Sequence, residues 1–132
     1  MTIAMTGKLR NSLRLDAVVS GAFGLVALAA GGLLGKLTGL SPALVTWAGV
    51  VAAAWSVALL VAASRPALPR LVLFDIVLAN AAWVAASLFV VTFSPESPTA
   101  LGYIFVVAQA GVVALLAVLQ SAGLRLPGRI RA

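Results

Sequence analysis

Four long apolar runs, separated by short polar connectors, dominate the pattern of hydrophobic and polar positions along the chain. The runs cover approximately residues 15–34, 43–63, 71–93 and 101–122. Each has the length of about 20 residues that a helix needs to cross roughly 30 Å of hydrocarbon. The connectors GKLTGLSP, SRPALPR and SPESP are rich in Gly, Pro and Ser, which end helices. Because connectors this short place neighbouring helices antiparallel, the pattern predicts an all-α, integral membrane four-helix up-down bundle, with residues 1–132 in one transmembrane domain.

Composition strengthens the membrane interpretation and narrows the chemistry. Of the 132 residues, 63% are hydrophobic and 9% are charged, whereas about a quarter of the residues in ordinary globular proteins are charged. The chain has no Cys and no His, which removes thiolate nucleophiles, the usual zinc and haem ligands and the commonest general base. We therefore expect no catalytic residue, no metal ligand, no cofactor and no enzymatic activity.

The basic residues are distributed unevenly between the connectors and tails. The N-terminal tail, the second connector and the C-terminal tail hold all but one of them: Lys8, Arg10, Arg14, Arg65, Arg70, Arg125, Arg129 and Arg131. The first connector holds Lys36 and the third holds the acidic Glu96. The positive-inside rule then predicts a multi-pass protein of the cell (inner) membrane with both termini cytoplasmic. Because no basic face is interleaved with aromatic residues, the net charge of +6 does not indicate a nucleic-acid partner.

A secretory signal peptide is the competing interpretation of the first apolar run. That run follows a basic start and contains the small-residue stretch ALAAGG. It exceeds the 7–15 apolar residues typical of a signal peptide, so we expect a membrane-spanning helix.

An internal repeat is visible between the second and fourth runs. Residues 41–60 and 97–116 are identical at half of their positions; Ser-Pro opens both segments, and Trp47 aligns with Tyr103. The first and third runs align less well, but Asp16 coincides with Asp75. The repeat predicts a duplicated helical hairpin, approximately residues 13–64 and 71–122. Ser-Pro is a favourable helix start, and we expect both aromatic residues to anchor their helices at the outer interface.

Four polar residues inside the apolar runs are the candidate functional residues: Asp16, Asp75, Asn80 and Gln109. Each Asp follows a cytoplasmic helix start, where a carboxylate complements the helix dipole and an interface arginine, Arg14 or Arg70, can pair with it. The alternative role for the carboxylates is coupling to protons or cations. The two amides lie about 15 Å from their helix starts, and we expect them to hydrogen-bond to each other or share a water, as a structural clamp or as the lining of a ligand cavity.

Small residues form a stripe on the first helix. They are Ser20, Gly21, Gly24, Gly31 and Gly35, with pairs spaced four residues apart. Such spacing lets helix backbones approach closely, so we expect these residues to pack helices, within the chain or between copies.

The segments LRLDAVVSGAFGL and AQAGVVALLAVLQSAGLR resemble uncharacterised small four-helix integral membrane proteins of GC-rich bacteria. The resemblance covers most of the chain and carries over no active residue. The chain differs from the small multidrug exporters, which place a glutamate deep in the first helix and often have balanced loop charges. Here the first-helix acid is Asp16, close to the start of its run.

These observations favour a non-enzymatic structural or accessory subunit that self-associates or joins a larger membrane complex, with the lipid bilayer around it. The alternative is a small transporter or lipophilic-ligand-binding membrane protein that uses the intramembrane polar residues. A cavity that reaches the bilayer midplane and is lined by those residues would favour the alternative. A solid core with a wide apolar face against another chain would favour the accessory subunit.

Overall fold

The computed structural model describes residues 1–93 and 98–125. Four helices account for most of these residues: α1 (Gly7–Thr38), α2 (Pro42–Ala63), α3 (Arg70–Phe93) and α4 (Ala100–Ser121). A 3₁₀ turn (Ala122–Arg125) extends α4. All four helices are long and apolar enough to cross a membrane, as the hydrophobic pattern predicts.

Helix α1 begins well before the apolar run that predicts it. Its N-cap is Thr6, whose side-chain oxygen accepts a hydrogen bond from the Leu9 amide at 3.2 Å. Leu9 and Leu13 are buried on one face of this added segment. The charged residues around them keep the segment out of the apolar run, but the helix continues through them. At its other end, α1 stops at Gly39, whose φ of 74° is a left-handed conformation that glycine adopts without a steric penalty.

The starts of α2 and α4 differ, although the repeat predicts that they match. Helix α2 begins at Pro42 with Ser41 as its N-cap. Helix α4 begins two residues after Pro98, and its N-cap is Thr99, whose hydroxyl accepts from the Gly102 amide at 3.1 Å. The predicted N-cap Ser97 lies outside the described residues. The threonine therefore takes the role that the repeat assigns to Ser-Pro.

Two short strands lie outside the helices and are absent from the sequence prediction. Strand β1 (Thr2–Ala4) pairs antiparallel with β2 (Ala67–Pro69), so that Ile3 lies opposite Leu68. Both of these side chains are buried in an apolar cluster with residues of α1, α2 and α3. Burial of the apolar side chains explains why a connector rich in Pro and Arg is ordered as a strand.

Glycines of α1 fit it closely against α2. The contacts descend along α2 as they ascend along α1: Gly21 lies against Ser56, Gly24 against Ala53 and Gly49, and Gly31 against Thr46. The two helices therefore run antiparallel, and their backbones approach where side chains are smallest. The stripe of small residues is used inside the chain.

Helices α2 and α3 make few contacts with each other, because each packs mainly on another helix. Helix α3 packs on α4, and α4 packs on α1, whereas contacts between α2 and α3 are few. At one end of the molecule the Thr99 amide donates to the Thr38 carbonyl at 2.9 Å, which ties α4 to the end of α1. Separate apolar clusters pack the two ends of the molecule. Between these clusters, α2 and α3 border a cleft.

We predict that Gly24→Ala destabilises the protein. A Cβ at this position would lie 2.9 Å from the Ala53 nitrogen and 3.0 Å from the Gly49 carbonyl oxygen, and overpacking of this kind costs about 1–3 kcal/mol. Gly32→Ala is the matched control on the same helix, because a Cβ there meets nothing within 4 Å. Thermal unfolding in mild detergent should show a lower Tm for Gly24→Ala alone. Equal Tm values for the two variants would contradict close α1–α2 packing.

Candidate functional site

A buried carboxylate joins three of the four helices. Asp16 of α1 is 1% exposed. Its Oδ2 accepts hydrogen bonds from Asn80 Nδ2 of α3 and from Gln120 Nε2 of α4, both at 2.8 Å. Its Oδ1 accepts from Ser20 Oγ, one turn further along α1, at 3.2 Å. Asn80 Nδ2 also donates to Gln120 Oε1 at 2.8 Å. We call Asp16, Ser20, Asn80 and Gln120 the carboxylate cluster.

The carboxyl group of the cluster accepts hydrogen bonds from neutral donors. Each donor is an N–H or O–H group directed at a carboxyl oxygen, and a carboxylate offers only acceptors. Among the described residues, no lysine or arginine hydrogen-bonds to Asp16. In a low-dielectric interior such hydrogen bonds are stronger than they are in water. The cluster is therefore a tertiary clamp in which neutral amide and hydroxyl groups surround one carboxyl group.

The expected pairing of Asp16 with Arg14 is wrong. Arg14 is exposed while Asp16 is buried, because residues two apart on a helix do not face each other. The expected pairing of Asp75 with Arg70 is wrong too. The Arg70 guanidinium donates to the Leu124 carbonyl, and Asp75 is exposed on α3.

Gln109 belongs to a second polar group, at the middle of the helices. Its Oε1 accepts from Trp83 Nε1 at 2.8 Å, and its Nε2 donates to Ser87 Oγ and to the Val106 carbonyl, both at 2.9 Å. The predicted hydrogen bond between Asn80 and Gln109 is therefore wrong. The amide of Asn80 is committed to the carboxylate cluster, and that of Gln109 to Trp83 and Ser87.

The cleft between α2 and α3 contains a cavity of about 480 Å³ that reaches both polar groups. Ser20 and Asn80 of the carboxylate cluster and Gln109 of the second group line it. Its other lining residues are apolar or aromatic: Val19, Phe23, Val50, Val51, Ala52, Ala54, Trp55, Ala79, Trp83 and Val113. Trp83 and Gln109 each lie near the middle of their helix, so the cavity reaches the middle of the helices.

A second cavity of about 280 Å³ continues the cleft toward Leu40 and Val90. It shares Phe23, Val51, Trp83 and Gln109 with the first cavity. Trp47 lines it, so all three tryptophans of the chain border the cleft. Tyr103, which the sequence pairs with Trp47, is exposed on α4 and does not line either cavity.

Sequence reasoning missed Gln120 and Trp83 as site residues. Gln120 lies near the end of the fourth apolar run, and Asp16 lies near the start of the first. In antiparallel neighbouring helices, the start of one lies beside the end of the other. The sequence could therefore have indicated that Gln120 lies close to Asp16. Trp83 gave a weaker signal, because a tryptophan inside a membrane span most often packs against lipid or core.

The cavity wall includes a hydrogen-bond acceptor that has no partner among the described residues. Asn80 donates its two N–H groups inside the carboxylate cluster, while its Oδ1 accepts nothing from the described residues. The described residues contain no group of three His, Cys, Asp or Glu side chains suited to a metal ion. The wall can therefore accept hydrogen bonds from a molecule with an apolar body.

Four membrane-length helices around this cleft define the class of the chain, a helical multi-pass membrane protein. Comparison with protein-family models, with curated proteins and with solved structures finds no match for the chain.

We predict energetic coupling between Asn80 and Gln120. Asn80→Leu and Gln120→Leu should each destabilise the protein, and the double variant should cost less than the sum, with a coupling energy of about 0.5–3 kcal/mol. The measurement is a double-mutant cycle of unfolding in detergent. Asn80→Leu with Gln109→Leu is the control cycle, expected to be additive within about 0.5 kcal/mol. Coupling confined to the control cycle would contradict the geometry of the carboxylate cluster.

Proposed function

We propose that the protein is a non-enzymatic membrane protein that binds a lipophilic molecule in the cleft between α2 and α3. The observation that carries this proposal is the cavity of about 480 Å³ that reaches the middle of the helices and exposes Ser20, Asn80 and Gln109 to an otherwise apolar wall. Known small-molecule sites have volumes of about 300–1,000 Å³ and combine an apolar lining with a few placed polar groups.

Lateral access from lipid supports a lipophilic ligand. The cleft is bordered by α2 and α3, which make few contacts with each other. Val50 and Val51 of α2 line the cavity and are also exposed, as is Ala79 of α3. In a bilayer such exposed apolar residues face acyl chains, so a molecule dissolved in the membrane reaches the cleft without crossing water.

The surrounding architecture belongs to the same proposal. The four helices form an up-down bundle of two duplicated hairpins in the bacterial inner membrane, with both termini cytoplasmic. The charge distribution supports this orientation. The arginines of the proposed inner side also contact helix ends: Arg10 Nε donates to the Ala63 carbonyl at 3.0 Å, where a cation complements the C-terminal end of α2.

An accessory or structural subunit that self-associates or joins a larger membrane complex is the second candidate. Gly32 of α1 and Gly111 of α4 favour it, because a Cβ at either would meet nothing within 4 Å, which leaves room for another helix to approach. Ligand binding separates the two candidates, since a subunit that only builds a complex would not bind a small lipophilic molecule saturably.

We predict that 11-bromoundecanol quenches the cleft tryptophans saturably. A bromine atom quenches tryptophan on close approach, and Trp55 and Trp83 line the larger cavity. The titration uses nanodiscs of zwitterionic lipid and a Trp47→Phe background, because Trp47 is 68% exposed. Ala79→Phe should weaken binding about tenfold or more, equivalent to about 1.4 kcal/mol, by filling the cavity.

Ala82→Phe is the matched control for that titration. Ala82 is also exposed on α3 but lines neither cavity, so its substitution should leave quenching unchanged. Linear quenching without saturation, or the same loss in both variants, would argue against a ligand site in the cleft.

We also predict the sides of the membrane on which the ends of α2 lie. The chain has no Cys, so Ser64→Cys and Ala43→Cys each give one thiol at opposite ends of α2, and both residues are exposed. A membrane-impermeant maleimide should label Ala43→Cys in intact cells and Ser64→Cys only in opened cells. The reverse pattern would invert the proposed orientation.

A further inference from the structure

The carboxylate cluster lies directly behind the wall of the larger cavity. Ser20 and Asn80 line that cavity, and each hydrogen-bonds to Asp16, at 3.2 Å and 2.8 Å. The carboxylate is thus one side chain away from the space that a ligand would occupy. This arrangement deepens the proposed function, on which the following inference rests.

We propose that the cleft selects lipophilic organic cations, namely primary or secondary ammonium groups on an apolar body. Buried charges in proteins are generally paired with an opposite charge or with a metal, and unpaired charges in a membrane interior are costly. Asp16 is 1% exposed and is hydrogen-bonded only by neutral groups among the described residues. A cation in the cleft would supply the missing charge.

The arginines of α1 and α3 among the described residues hydrogen-bond to backbone carbonyls or are exposed. Arg10 of α1 donates to the carbonyls of Ala63 and Arg65, and Arg70 of α3 donates to the Leu124 carbonyl. Arg14, on the helix that carries Asp16, is exposed. The carboxyl group of Asp16 therefore has no basic partner among the described residues.

Hydrogen bonding in the cavity wall favours a donor on the ligand. The N–H groups of Gln109 go to Ser87 and Val106, and its oxygen accepts from Trp83. Asn80 keeps its Oδ1 free of described partners. Trp55 Nε1 is the remaining donor without a described partner. An ammonium N–H can bond to the Asn80 oxygen, whereas a carboxylate placed there would face an acceptor oxygen.

Aromatic rings provide the second feature suited to a cation. Phe23 and Trp83 pack edge to face with centroids 6.1 Å apart, and both line the cavity. Trp55 lines it from α2. Aromatic faces attract cations, most strongly when the cation is shielded from water. The apolar body of the ligand can extend along the second cavity, whose wall contains Leu44, Val45 and Val90.

The test compares three brominated probes that share one chain and differ in charge: 11-bromoundecylammonium, 11-bromoundecanol and 11-bromoundecanoate. Tryptophan quenching in zwitterionic nanodiscs gives each Kd, referred to the membrane-bound probe concentration measured with protein-free nanodiscs. In the wild-type protein the ammonium should bind about tenfold more tightly than the alcohol, and the carboxylate most weakly. This order opposes the net charge of +6 of the chain, so it would report the local field of the cleft.

Asp16→Asn removes the charge and keeps the size of the side chain. It should equalise the ammonium and alcohol affinities, while Asp75→Asn, which removes an exposed carboxylate from α3, should leave the tenfold preference intact. Equal wild-type affinities for ammonium and alcohol would overturn the cation inference and leave the cleft proposal standing. Preference retained by Asp16→Asn would also overturn it. Absence of saturable binding by all three probes would overturn both.

The wild-type comparison needs no variant, so it decides the question even if Asp16→Asn fails to fold. In that case Phe23→Leu provides the second test. It removes an aromatic face from the cavity and should reduce the ammonium preference without weakening the alcohol. An unchanged ammonium preference in Phe23→Leu would overturn the inference.

Discussion

The fold depends on how a carboxylate is accommodated inside a bundle of apolar helices. Among the described residues, the Asp16 oxygens accept hydrogen bonds from two amides and a hydroxyl. Because each amide comes from a different helix, the carboxylate imposes a fixed distance on α1, α3 and α4. Asn80 and Gln120 also bond to each other, so displacement of either helix would leave several polar groups unsatisfied in a nonpolar interior, which is costly. Apolar packing alone would allow these helices to slide.

The contrast between the helix pairs explains why the molecule has a cleft. Helix α2 is held by backbone proximity to the α1 glycines and by Ser56 Oγ, which donates to the Ala17 carbonyl at 2.7 Å. Helix α3 is held by the carboxylate cluster and by Trp83. Both sets of contacts point toward α1 and α4, and few link α2 to α3. Bulky side chains such as Trp55 and Trp83 border the gap.

The sequence predicts the helices well because membrane spans depend on local, additive properties. The four apolar runs correspond to the four helices, and the connectors rich in Gly and Pro lie between them. Ser41 with Pro42 marks the start of α2. The helical extension before residue 15 was missed because Lys8, Arg10 and Arg14 interleave in sequence with the buried Leu9 and Leu13. The site was predicted less well. Asp16 was expected at the interface beside Arg14 and is instead buried, and the partners of Asp16 and Asn80 depend on which helix faces point inward. Hydropathy does not encode that rotation, so Gln120 was missed and Asn80 was assigned to Gln109.

The β1–β2 pairing has a consequence for how the chain enters a membrane. Hydrogen bonds between Thr2–Ala4 and Ala67–Pro69 require both strands to occupy the same aqueous side. Helices α1 and α2 lie between those strands in the chain, so the pairing places the start of α1 and the end of α2 at the same end of the molecule. A ribosome completes β1 first, yet its partner emerges only after both helices have been made. The two strands can therefore pair only after the α1–α2 hairpin has reached its final topology. Their hydrogen bonds then oppose the withdrawal of either helix.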